Sequence, residues 1–324
     1  VIDSRHVTVL MDSLALAAKK SGYAGLLFVV DELGKFLEYA ARTPQHADVF
    51  VLQEMAEHVS RSGAFPSLLL GFLHQSFEQY GEHLSGLTRK EWGKIHGRFE
   101  DVAFLEPAEQ VIRMIAAAIE WTGTPLTSRQ KTRIRQVAAT CVRNGVCPPG
   151  MQRNEFEHIC LQAYPLHPVT VVALPVIFRR FGQNERSLFS YLSSLEPGGF
   201  RSFLQTHSLA DEALDFLRLH HVFDYFVLNF GAGLFRQPHA RRWLEAADVL
   251  DRRQGLAPVH AELIKTIGVL GALGEFSHLS ATDAVIAASL GDAEAMPARL
   301  RKAMACLLER SILTHRRFND TYRI

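Results

Sequence analysis

The sequence predicts a mostly α chain with a small α/β part near its start, and three observations predict it. First, two short apolar runs, "LLFVV" at 26–30 and "SLLLGFLHQS" from 67, sit between helical stretches. They are too short for independent helices and read as buried strands. Second, from about residue 108 onward helical periodicity dominates. Third, the last 65 or so residues read as three helices followed by two short strands.

The elements follow in order. Residues 7–21 place Val7, Leu10, Leu14 and Ala17 on one face, as an amphipathic helix does. The 26–30 run leads through Asp31 and Glu32 directly into a helical pattern, and another helix is predicted over 47–61. After "SGAFP" comes the second strand, ending in polar residues. A helix over 87–96 and a short strand in "FEDVAFLEP", stopped by Pro107, complete this part. Strands that alternate with helices predict a parallel sheet, buried on both faces. Helices are predicted at 108–121, 127–145, 153–163, 168–182 and 184–195, separated by "TGTP", "VCPPG" and "YPLHP". "LEPGGF" interrupts the pattern, and 207–255 is again helical. The final helices fall at 259–273, 280–289 and from Pro297 to Arg310. The strands of "SILTHRRFNDTYRI" flank an "FND" turn, and three helices with a β-hairpin are the profile of a winged helix. The predicted divisions are 1–107, 108–200, 201–257 and 258–324.

Composition excludes several classes. Hydrophobic content of 48% and charged content of 21% are those of a globular protein. A net charge of +1 offers no global attraction to nucleic acid or membrane. No apolar stretch reaches the ~20 residues of a spanning helix, and no signal peptide is visible. Cys141, Cys147, Cys160 and Cys306 form no CxxC pair, so they are expected to be reduced thiols in a cytoplasmic protein. Among fifteen histidines there is no HExxH, and His220 and His221 are adjacent instead of i,i+4, so no metal centre of that kind is expected. GxSxG is absent as well.

The chemistry concentrates at Asp31 and Glu32. Two carboxylates at the carboxyl end of a parallel strand lie where open α/β sheets bind ligands. Nucleotide hydrolysis uses such a pair, one to hold Mg²⁺ through water and one to orient and deprotonate the attacking water. The bland reading is a strand tip with Asp31 capping the next helix. The second strand ends in His74, Gln75 and Ser76. Arg98 closes a helix in "GKIHGRFEDVAF", where a C-terminal cation is favoured by the helix dipole. Arg186 stands just inside a helix in "RRFGQNERSLFSYLSS", and "YPLHP" contributes Pro165, His167 and Pro168.

A small α/β core, a helical region with that arginine and a winged helix together resemble the AAA+ ATPases of the origin-recognition and STAND branches. "QNERSLFSYL", "YPLHP" and "HRRFNDTYRI" are similar to segments of large bacterial phage-defence ATPases of the BREX P-loop type. The resemblance implies a partial AAA+ parallel sheet, a helical lid and a C-terminal winged helix, with ATP and Mg²⁺ as cofactors. It implies that the run into Asp31-Glu32 is Walker B, with Asp31 on magnesium and Glu32 as base. It implies further that His74 or Gln75 contacts the γ-phosphate or the water, that Arg98 acts as a finger on a neighbouring subunit, and that Arg186 is the lid sensor. Pro165 or Pro168 would pack on the adenine, with His167 adding a polar contact. A homo-oligomer or larger protein assembly follows from the same resemblance.

One departure constrains this reading. No GxxxxGK[ST] occurs in the 324 residues; "DELGKF" has Gly-Lys but lacks the first glycine and follows the acidic strand. The expectation is that the phosphate-binding loop lies upstream in a longer parent, and that the fragment alone hydrolyses ATP poorly or not at all. The competing expectation is an ATPase-like scaffold without activity that carries a winged-helix DNA- or protein-binding module. From Pro297 to Ile324 seven Lys/Arg oppose Glu309 and Asp320, a local charge of +5. Arg299, Arg301, Lys302, Arg316 and Arg317 are the candidate DNA contacts there; internal packing against the nucleotide is the alternative use of that domain.

Overall fold

In the computed structural model the described residues are 4–43, 49–81, 84–102, 106–122, 125–181, 185–207, 214–234, 240–252 and 255–324. The chain is mostly helical and divides into two compact units, Val1–Phe104 and Leu105–Ile324. No helix among the described residues is long and apolar enough to cross a membrane. The four cysteines form no disulfide, and Cys141 and Cys160 are buried.

The first unit runs α1 (Ser4–Lys20), β1 (Leu26–Val30), α2 (Leu33–Arg42), α3 (Phe50–Ser60), β2 (Ser67–Gly71), α4 (Phe77–Tyr80) and α5 (Gly86–His96). The two strands pair in parallel, with Leu26 opposite Ser67 and Val30 opposite Gly71. A parallel pair needs a crossover, and α2 with α3 supplies it. The core gathers Leu37, Leu52, Phe77, Tyr80, Trp92 and Ile95 from α2 to α5.

One expectation is corrected here. The strands are not buried on both faces: accessibility alternates along each. Leu27, Val29 and Leu68 are 56%, 54% and 66% exposed, and Leu70 and Phe72 lie on the same open side. The apolar runs are continuous because both faces are hydrophobic, yet α1 and α3 pack on the Phe28 side and no described element covers the other. The third strand expected in "FEDVAFLEP" has its centre at 103–105, outside the described residues. Residues 99–102, 106 and 107 form no strand.

The second unit contains α6 (Ala108–Ala118), α7 (Ser128–Arg143), α8 (Arg153–Gln162), α9 (Pro168–Phe181), α10 (Glu185–Ser193), α11 (Phe200–Thr206), α12 (Leu219–Leu234), α13 (Arg241–Arg252), α14 (Pro258–Leu273), α15 (Asp283–Gly291) and α16 (Ala298–Glu309). The antiparallel hairpin β3 (Thr314–Arg316) and β4 (Thr321–Arg323) follows. The starts obey local rules. Thr127 and Gln130 form a capping box on α7, and Pro258 occupies the first turn of α14, where its missing N–H costs nothing. One core extends through the unit. α9 is buried on nearly every side, and α14 packs on α12, α13, α15 and α16.

Candidate functional site

The acidic tip is built by the sheet itself. Hydrogen bonding continues past the strand ends: Phe72 N–H donates to Val30 O (3.0 Å) and Leu33 N–H to Phe72 O (3.1 Å). The segments that carry Asp31-Glu32 and His74 are thereby held side by side at the carboxyl end of the parallel pair. Asp31 Oδ1 accepts the Glu32 N–H at 2.8 Å. The expected capping role moves by one residue, because Glu32 occupies the N-cap of α2, with left-handed φ 54° and ψ 36° and no side-chain cap bond. A non-glycine residue in that region carries backbone strain of about 1–3 kcal/mol, held by the surrounding bonds.

Glu32 makes an ion pair with Lys35 one turn along α2. That hydrogen bond, the charge of Lys35 and a smaller contribution from His74 hold the Glu32 carboxyl below its ordinary value. The charge of His74 is felt weakly at Glu32, which places the two strand continuations within electrostatic reach of each other. Pairing with the Lys35 ammonium makes Glu32 a weaker base than a free carboxylate. Asp31, Glu32, His74 and Gln75 are all exposed, and Ser76 opens α4 with an extended backbone. The hard carboxylate oxygens of the tip suit Mg²⁺, which is commonly held by one or two carboxylates with water.

Sequence reasoning missed two residues of this tip, Lys35 and Tyr80. Lys35 stands in "DELGKF", whose Gly-Lys the sequence pattern compares only with a phosphate-binding loop. Tyr80, buried, receives the His74 N–H at 3.4 Å and lies against Gly34. Only a bare glycine in α2 leaves room for its hydroxyl.

The other residues fall elsewhere. Arg98 is exposed just after α5 and pairs with Glu57 of α3 at 3.2 Å, beside Arg61 and Gln53 on the same carboxylate. A cleft of about 440 Å³ lies on α1, α3 and the amino-terminal end of β2, lined by Asp12, Phe28, Glu57 and His58, away from the acidic tip. Glu78, His96 and Asp101 form a trio close enough to hold a metal. His96 bonds Glu78 through Nδ1 (3.0 Å) and Asp101 through Nε2 (2.7 Å), so opposite sides of one ring are used and the carboxylates do not converge on one nitrogen.

In the second unit Arg186 lies in the first turn of α10, and its side chain is outside the described residues. Pro165 and Pro168 are buried, and His167 is fully so. His167 Nδ1 accepts the Val169 N–H at 3.2 Å, so the ring proton resides on Nε2 and is donated to Asp292 Oδ1 at 3.1 Å. Asp292 is gripped in turn by both Nη atoms of Arg218, at 2.8 and 2.9 Å. In this arrangement His167 spends its polarity inside the fold. At the C-terminus Arg299, Arg301, Lys302 and Arg317 are exposed. Arg299 donates to Leu290 O (3.0 Å), Arg301 to Met296 O (3.1 Å), and Arg316 lies 6.0 Å from the Phe318 ring centre. Compared with known proteins, the chain matches no family model, no curated protein and no solved structure.

Proposed function

We propose that this chain is the part of an AAA+/STAND ATPase that follows the phosphate-binding loop, and that it couples ATP binding or hydrolysis to conformational change in a larger assembly, in phage defence or DNA metabolism. The observation that carries the reading is the acidic tip: Asp31-Glu32 ends one strand of a parallel pair while His74, on the adjoining strand's continuation, lies within electrostatic reach of Glu32. Asp31 would hold Mg²⁺ through water. Glu32, released from Lys35, would take the proton of the attacking water, and His74 or Gln75 would contact the γ-phosphate. Because no GxxxxGK[ST] occurs in the 324 residues, the loop that cradles the phosphates would come from a longer parent chain.

The parent is therefore the protein to test. Glu32→Gln keeps the shape of the side chain but removes its basicity, so turnover should fall by at least about 10²-fold while bound ATP is retained on gel filtration. Undiminished turnover would take Glu32 out of the chemistry, and a parent without ATPase activity would remove the proposal altogether.

A further inference from the structure

A cleft of about 710 Å³ in the second unit opens between α13, α14 and the β3–β4 hairpin. Arg180, Arg241, Arg242, Arg316 and Arg323 line it. Among its described lining residues a single side-chain carboxylate, Glu245, answers them, and the terminal residue Ile324 also lines the cleft. Glu245 is shared by three cations: Arg241 Nε at 3.2 Å, Arg242 Nη1 at 2.8 Å and Arg323 Nη2 at 3.7 Å. The nearby Asp320 is taken by His315 at 2.8 Å, and Asp283 by the hydroxyl of Tyr322. Positive charge in the cleft therefore exceeds its compensation, although the whole chain is nearly neutral.

The wall is built to hold those charges in place. Arg180 Nη1 donates to Ala272 O (3.1 Å) and Leu273 O (3.0 Å) at the carboxyl end of α14. Its guanidinium lies 4.0 Å from the Phe276 ring centre, and its buried Nε has no hydrogen-bond partner. α13 and α14 approach so closely that a Cβ at Gly268 would meet Ala246 Cβ at 2.6 Å, which holds the backbone of α13 against the floor. Ser277 and Asn319 add neutral donors to the rim, and Tyr322 adds an aromatic edge.

Each guanidinium is a planar fork of five N–H donors, and one carboxylate uses few of them. A tetrahedral oxyanion with several acceptor oxygens matches such a fan, and the volume exceeds what inorganic phosphate alone would fill. We propose that this cleft binds a phosphate group carried by a nucleotide or a polynucleotide. The site includes Arg180, Arg241, Arg242 and Arg323, which no sequence motif marked. It does not rest on the ATPase reading, whose acidic tip belongs to the other unit.

The test uses the 324-residue chain. A fluorescein-labelled single-stranded oligonucleotide of about 12 residues is titrated by anisotropy at about 50 mM salt, and ATP is titrated separately by calorimetry. Arg241→Ala/Arg323→Ala should weaken the bound probe by at least about tenfold, with an unchanged thermal midpoint. Glu245→Gln, which removes the competing carboxylate, should tighten it by about threefold. Arg241 is 79% exposed in its side chain, so Arg241→Ala alone serves if the double variant is unstable. Oligonucleotide binding that ATP does not displace assigns the polynucleotide, and ATP binding unaffected by Glu32→Gln assigns the mononucleotide. Binding of neither probe, or binding indifferent to these substitutions, overturns the proposal.

Discussion

His167 shows how a single side chain is decided by its surroundings. Burial pushes its imidazole down to about 4, the Arg218 charge adds to this, and the bond to Asp292 offsets part of it. Burial lowers His221 to about 4 and His220 to about 2 in the same way, helped by neighbouring cationic groups. Burial alone would raise Asp292, but the hydrogen bonds from His167 and Arg218 outweigh it and hold the carboxyl below its ordinary range. The sign for stability follows from proton binding. Between the unfolded histidine value of 6.5 and the lower folded values, the unfolded chain binds protons that the folded chain refuses. Stability is thus intact above pH 6.5 and falls as pH drops toward 4, by on the order of 2 kcal/mol per histidine at pH 5. Differential scanning calorimetry should find a melting midpoint lower by at least about 5 °C at pH 5 than at pH 7.5. An unchanged midpoint would mean that these histidines are not buried and neutral.

At the scale of elements, the turn from β1 into α2 joins strain and close packing. A Cβ at Gly34 would stand 2.2 Å from Tyr80 Oη and 2.8 Å from its Cζ. Gly34→Ala should therefore cost about 1–3 kcal/mol, read from the urea midpoint, because α2 has to shift against α4. Tyr80→Phe in the same background should recover part of that loss, and a Gly34→Ala protein as stable as the parent would refute the close approach. The strands themselves were legible in the sequence, since five-residue apolar runs between helices have few other readings. Which of their faces would be covered was not legible. Leu27, Val29, Leu68 and Leu70 have the same character as a buried face, and only the positions of α1 and α3 distinguish them.

For the whole molecule, the division after Phe104 has an energetic meaning. Residues 105–324 own a continuous core that runs from Val111 to Leu313, with α14 buried among four other helices. A fragment of residues 105–324 should consequently fold alone and melt cooperatively, with helical circular dichroism near that of the same residues in the full chain. A broad, non-cooperative transition would show that the core needs the first unit. The arginine cleft belongs to this scale too. Its charges come from residues 180, 241, 242, 316 and 323, so the local excess of +5 read along 297–324 captured only two of the five.

The sequence by itself determined the mostly helical class, the two strands, the order of elements and the acidic doublet at the tip of β1, because periodicity, breakers and adjacent carboxylates are local properties of the chain. Only the tertiary structure decided that His167 faces Asp292 and Arg218, and that five arginines line one cleft in which three of them share Glu245. Each of those facts depends on side chains brought together across turns or across many tens of residues, where solvent exclusion and Coulomb energy act through space and leave no periodic trace in the sequence.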